Sequence, residues 1–200
     1  MKTKKRILEV SRLLFNEKGV MNVTLRDVAK FMNKSYGNIT YHFPTKEEVI
    51  TSLFEEMNME LAALQTSNDS SDLMRYLLEL PGFSFEINLK YLFLTIDYNE
   101  LKRNFPNLFE KVNTLNEAGK IKWKGLLMYL RDENYLNPKI SNDELDYLMF
   151  LSVSIHFAYF QMTDSHAYQK EEFTKTANQM VQPYLSEKGL AVYNSWLLSL

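Results

Sequence analysis

Apolar residues recur along this chain at three- and four-residue intervals, the period of helices that bury one face. Ile7, Val10, Leu14 and Phe15 mark a first helix over residues 3–18, closed by Gly19. Leu25, Val28, Ala29 and Met32 mark a second, opened by Thr24 as its cap, with Asp27 placed to complete a capping box. Asn33 tolerates left-handed backbone where the chain must turn. Ser35 caps a third, shorter helix held by Ile39 and Phe43, and Pro44 follows it. Thr45-Lys-Glu-Glu48 reads as a capping box opening a fourth helix, with Val49, Leu53, Met57, Leu61 and Leu64 on its buried side and an end near Gln65.

Beyond the polar run from Thr66 to Asp72, the best candidate boundary, everything reads as helix. One segment begins near Asp72 and breaks at Pro81-Gly82; another covers 84–103. Leu108, Val112, Leu115, Gly119, Trp123, Leu126 and Leu130 predict one long helix, stopped at Asn137-Pro138. Ser141-x-x-Glu144 is a capping box for a helix running to about 163. A last long helix covers 169–184, and a shorter one follows Ser186. No strand pattern competes, and no repeat of 20–50 residues is present. Leu145–Met162 is apolar almost all round, but it is short for a bilayer and carries Asp146, Ser152, Ser154, His156 and Gln161. It is therefore expected to be buried on several sides, by its own domain and by a second subunit.

Composition adds exclusions. Hydrophobic residues make up 46% and charged residues 24%, the balance of a globular protein. The absence of cysteine rules out disulfides, thiolate catalysis and cysteine-bound zinc. The basic N-terminus lacks the apolar core of a signal peptide, so a soluble cytoplasmic protein is expected. The net charge of −2 hides a division: residues 1–46 hold ten Lys/Arg against three Asp/Glu, and the remainder thirteen against twenty-two. A basic head fits phosphate contact and an acidic remainder does not; the plainer alternative is a solvated basic face.

Two short helices around a tight turn within about twenty residues are the geometry that sets a recognition helix in a DNA major groove. Phe15-x-x-x-Gly19, Thr24-x-Arg-Asp-Val-Ala29, Ser35, Gly37-Asn-Ile, Tyr41-His-Phe43 and Lys46-Glu-Glu together resemble the DNA-binding domain of the TetR family of bacterial transcriptional regulators. The resemblance covers about a quarter of the chain. It departs from the family at Asn33-Lys34, where Gly-Val is common, and at Thr40, which stands in place of a tyrosine and loses its reach. It implies an all-α protein: a helix-turn-helix domain over 1–46 and a helical effector-binding and dimerisation domain over 47–200, joined through a helix at 45–65. It also implies a homodimer through helices near 141–163 and 169–184, bound to a pseudo-palindromic operator and released by a small molecule.

The chemistry of the head agrees. Thr24 caps its helix toward a phosphate. Arg26 is a candidate for guanine O6/N7, or else a surface charge. Ser35, Tyr36, Gly37 and Asn38 start the recognition helix: Asn38 suits adenine, Tyr36 a thymine methyl, and Gly37 permits close approach. Thr40, Tyr41, His42 and Lys46 are candidate phosphate contacts that fix register, although His42 also fits a packing role at the helix end.

Aromatic residues are plentiful in the second part, and plain core is their commoner use. Tyr91, Asp97, Tyr98, Trp123, His156 and Tyr159 are the candidates for a ligand pocket. His42, His156 and His166 lack metal-ligand spacing, and no phosphate loop, nucleophile elbow or HExxH motif occurs, so neither cofactor nor catalysis is expected. Two readings of different class follow. One is a ligand-responsive dimeric regulator, a repressor by resemblance. The other is a helical small-molecule-binding or interaction protein with a degenerate DNA head.

Overall fold

The computed structural model describes residues 2–66 and 72–200. Eleven α-helices appear among them: α1 (Lys2–Lys18), α2 (Leu25–Phe31), α3 (Tyr36–His42), α4 (Lys46–Thr66), α5 (Leu73–Lys90), α6 (Phe93–Ile96), α7 (Tyr98–Asn104), α8 (Pro106–Asp132), α9 (Asn142–Met162), α10 (Lys170–Gln179) and α11 (Glu187–Leu197). The all-α class expected from the apolar spacing is what the chain adopts. Most of the run expected as a boundary, residues 67–71, lies outside the described residues.

The chain packs as two units. The first comprises the chain up to Ala63 together with Ile87–Val112; the second comprises Leu64–Glu86 and Asn113–Leu200. This differs from the expected division at residue 46. Ile7, Phe15, Val28 and Ile39 from the first three helices share one core with Val49, Ile50 and Leu53 of α4 and with Phe93, Leu101 and Leu108. The rings of Phe15 and Phe93 lie 5.2 Å apart. A head of 46 residues buries only a small share of its surface and is marginal by itself, and these later residues enlarge its core.

Local signals set the ends of the early helices. Asn33 adopts φ 52° after α2, with Lys34 N–H donating to Ala29 O at 2.9 Å and Asn33 N–H to Lys30 O at 3.1 Å, the paired bonds of a Schellman motif. The Thr45 cap forms in one direction, Glu48 N–H donating to its Oγ1 at 3.2 Å. The helix expected over 84–103 is instead broken after Lys90, and side chains of α1 cause the break. Arg12 Nη1 and Asn16 Nδ2 donate to Lys90 O at 2.9 and 3.0 Å, and Phe93 N–H donates to Asn16 Oδ1 at 3.0 Å. Backbone groups satisfied this way leave the chain free to turn.

In the second unit the expected break at Pro81-Gly82 does not occur; α5 runs through it. Pro81 withholds one helical donor, but the helix is held from outside. Leu77, Leu78 and Phe85 are buried, and Asn178 Nδ2 donates to Leu78 O at 2.6 Å. Gly82 lets α10 approach, because a Cβ there would meet Thr174 Oγ1 at 3.0 Å. The long helix α8 is continuous through Gly119 and Gly125 and ends at Asp132, with Asn134 at φ 59°, ahead of the expected stop at Asn137-Pro138. The Ser141–Glu144 capping box forms in both directions. The helix expected over 169–184 is shorter: α10 ends at Gln179, and Pro183 falls in a 3-10 turn over Gln182–Tyr184. No helix among the described residues is long and apolar enough to cross a membrane. One face of α9, expected to be covered, presents Tyr147, Phe150 and Val153 to solvent in the single chain.

Candidate functional site

The first unit presents α2 and α3 with their caps formed. Thr24 Oγ1 accepts from Asp27 N–H at 3.3 Å, and Thr24 N–H donates to Asp27 Oδ2 at 2.8 Å. The Thr24 hydroxyl also donates to that carboxylate at 2.6 Å, and these bonds hold the Asp27 carboxyl below its usual range. Ser35 Oγ accepts from Asn38 N–H at 3.2 Å and so opens α3. Behind this surface Ile39 and Phe43 are buried, which fixes the helix and turns Ser35, Tyr36, Gly37 and Asn38 outward, all exposed. Arg26 is exposed too, its guanidinium 5.3 Å from the centre of the Tyr36 ring. That places a planar donor fork beside the start of α3. A Cβ on Gly37 would meet nothing within 4 Å, so nothing in the chain itself requires glycine there.

The candidate phosphate contacts divide. Tyr41 is 83% exposed and stacks edge-on with His42, whose ring centre is 5.2 Å away. The Thr40 hydroxyl donates back to Tyr36 O at 3.2 Å, within its own helix. Lys46 has another role than the expected phosphate contact: its Nζ donates to Val20 O at 2.7 Å and Val23 O at 3.0 Å. Partial burial pushes its ammonium below the usual lysine range. The amine therefore ties the loop before α2 to the start of α4. Lys34, adjacent to the α3 cap and exposed, was not among the expected contacts, although its charge and position were visible in the sequence.

The second unit contains a cavity of about 380 Å³. Its walls come from α5 (Tyr76, Leu77, Ser84), α8 (Trp123), α9 (Ser152, His156) and α10 (Phe173, Asn178). Two of the six expected ligand residues, Trp123 and His156, line it. His156 packs among Phe157, Phe160 and Phe173, and burial pushes its imidazole down to about 4, so the ring is neutral at neutral pH. The Tyr76 hydroxyl is buried and has no hydrogen-bond partner among the described residues.

The other four expected residues do structural work. Tyr159 OH both donates to Gln169 O (3.1 Å) and accepts from Gln169 N–H (2.9 Å), closing the turn before α10. Tyr91, Asp97 and Tyr98 belong to the first unit and do not line the cavity. Tyr91 OH donates to Glu60 at 2.8 Å, and burial pushes the phenol upward. Asp97 accepts from Val20 N–H at 2.7 Å, and burial raises its carboxyl above the usual range. Tyr98 meets the Phe109 ring edge-on at 5.1 Å. Tyr76, Ser84, Ser152 and Asn178 were missed because they come from three helices distant in sequence, with no motif to link them. No group of three His, Cys, Asp or Glu side chains suited to a metal occurs among the described residues.

Residues 7–53, which form this head, match the model of the bacterial regulatory proteins of the tetR family. Through this segment the chain is similar to the TetR family of regulators. The relatives it matches are transcriptional regulators. One is the negative regulator IcaR of the icaADBC biofilm operon from Staphylococcus aureus (strain Newman), 30% identical over 122 residues, which is 58% of this chain and 64% of that protein. The match thus spans less than two thirds of that relative. A TetR-family regulator from Marinobacter aquaeolei VT8 superposes with a TM-score of 0.81 over 98% of this chain and 99% of its own, at 22% identity. A transcriptional regulator from Saccharomonospora viridis in complex with choline gives 0.68 over 93% and 98%, at 18% identity. At such identities the likeness establishes the fold.

Proposed function

We propose that this chain is a DNA-binding transcriptional regulator, a cytoplasmic repressor that holds a pseudo-palindromic operator as a homodimer and releases it when a small molecule enters the cavity of the second unit. One observation carries the reading: α3 is capped by Ser35 and backed by Ile39, with Tyr36, Gly37 and Asn38 exposed and Arg26 beside them. That is the part of a recognition helix that meets base edges. The similar IcaR is a negative regulator, which favours repression. The Saccharomonospora viridis neighbour holds choline, which favours a ligand in a fold of this kind.

Dimerisation suits α9, whose face carries Tyr147, Phe150 and Val153. The expected partner segment at 169–184 suits it less well, because the exposed side of α10 carries Lys170, Glu171, Glu172 and Gln179. Further exposed apolar residues are Leu197, Leu198 and Leu200 at and after the end of α11. A charged α10 face is costly to desolvate in an interface core, and the leucines are not. These exposed apolar residues support a proposed dimer through α9 with the end of α11, in place of the segment at 169–184.

A second reading, a ligand-binding protein whose head lacks sequence specificity, is favoured by Thr40, whose hydroxyl is engaged within its own helix. Selection of bound sequences from random DNA separates the two. A reproducible palindrome with half-site centres about 34–36 Å apart, or a multiple of that, supports the regulator. Enrichment of no motif, with binding that varies only with salt, supports the second reading.

A further inference from the structure

Taking the ligand-responsive reading above as its basis, we propose that the cavity of the second unit takes a largely apolar molecule of two or three rings carrying one uncharged hydroxyl or carbonyl oxygen, and that it rejects organic cations. Size sets the first limit. A volume of about 380 Å³ equals roughly a dozen waters at about 30 Å³ each, which is the bulk of such a ring system. The walls set the second: Leu77, Leu126, Leu127, Leu148, Trp123 and Phe173 are apolar or aromatic.

Charge sets the third limit. Among the described residues, none that lines the cavity is acidic, and the one formally charged side chain there, Lys122, is exposed. An organic cation would lose its hydration and meet no carboxylate, so the aromatic walls alone would have to compensate. A carboxylate carried to the interior fares no better, because the imidazole there is neutral. What the interior does offer is a set of uncharged hydrogen-bonding groups. Tyr76 lines the cavity with its hydroxyl buried and without a partner among the described residues, and His156 supplies one donor and one acceptor as a neutral ring. Ser152 adds a hydroxyl from the same helix as His156. A ligand oxygen that accepts from Tyr76 removes an unsatisfied buried group, and a hydrocarbon leaves it as it was.

The test titrates the 200-residue chain by calorimetry with a matched set of probes: 2-naphthol, 2-methylnaphthalene, 2-naphthoate and 2-naphthylmethylammonium. The expected result is 2-naphthol binding at least about tenfold more tightly than each of the others. Tyr76→Phe should bring 2-naphthol down to the level of 2-methylnaphthalene while leaving the hydrocarbon's own affinity unchanged, which reports an intact cavity. This variant should melt at or above the parent temperature, because the hydroxyl it removes has no partner among the described residues. Equal or tighter binding of the ammonium probe overturns the proposal, and so does hydrocarbon binding equal to 2-naphthol. A preference for 2-naphthoate that disappears in Lys122→Ala would move recognition to the exposed lysine and also overturn it. Binding by none of the probes has the same consequence. A parallel titration with the selected DNA separates this class of ligand from the regulatory reading. If 2-naphthol binds as expected and DNA affinity does not change, the ligand class stands and ligand-driven release falls. If DNA is bound selectively and no probe enters, the ligand class falls and DNA reading stands.

Discussion

The surface of α3 and the cavity of the second unit are assembled in opposite ways. Every exposed group of the recognition surface lies between Thr24 and His42, and its geometry follows from caps closed within three residues: Thr24 with Asp27, Ser35 with Asn38. The cavity draws its polar groups from helices as far apart as Tyr76 and Asn178, joined by bonds such as Asn178 Nδ2 to Leu78 O across a hundred residues of sequence. A site built from short-range bonds is as robust as its helices. One built from long-range packing changes whenever a distant helix is repacked.

Four substitutions break or sharpen this contrast. The largest effect is expected in the cavity, from acid. His156 is depressed to about 4 when folded, against 6.5 for the free side chain. Unfolded chains therefore take up a proton that folded chains refuse. Stability present at pH 7 falls as pH drops through 6.5 and levels off near 4, a loss of up to roughly 3 kcal/mol. Denaturant titrations across that range should show the slope in the parent and a flatter profile in His156→Asn.

Asn38→Ala should weaken the selected operator by about 1–3 kcal/mol and leave non-specific DNA unchanged, as read in titrations on both. An equal loss on both would remove Asn38 from base reading. Lys46→Met comes next. Because its ammonium closes on Val20 and Val23, the variant should lose about 1–2 kcal/mol of thermal stability, with the salt dependence of DNA binding unaltered. A phosphate contact would instead lower the salt slope by about one and spare stability. The smallest effect is that of Gly37→Ala. With open space around its Cβ, alanine should stabilise α3 by up to about 1 kcal/mol while weakening DNA binding. If both affinity and stability rose, glycine there would serve no close approach to DNA.

The helices were legible wherever their ends are set locally. Ser141 and Glu144 cap α9 as their spacing predicts, Asn33 takes the left-handed turn, and α8 runs unbroken through two glycines because its apolar stripe is continuous. Local rules misjudged α5, where Pro81 and Gly82 predict a break. There the packing of Leu78, Phe85 and Asn178 outweighs the missing donor, and the same glycine that weakens a helix admits Thr174. They also misjudged Lys90, where α1 side chains end a helix that its own residues would continue.

By itself, the sequence determined the all-helical class, the helix-turn-helix and the residues that α3 exposes, since caps, turns and apolar period act within a few residues of chain. Tertiary structure decided that Tyr91, Asp97 and Tyr98 support the first unit, that Lys46 closes a loop, and that Tyr76 joins His156 around a cavity. Those outcomes depend on which distant backbone groups and rings meet. Nothing in the local pattern records that, because the hydrogen bonds and contacts that decide it connect residues about 10 to 100 positions apart.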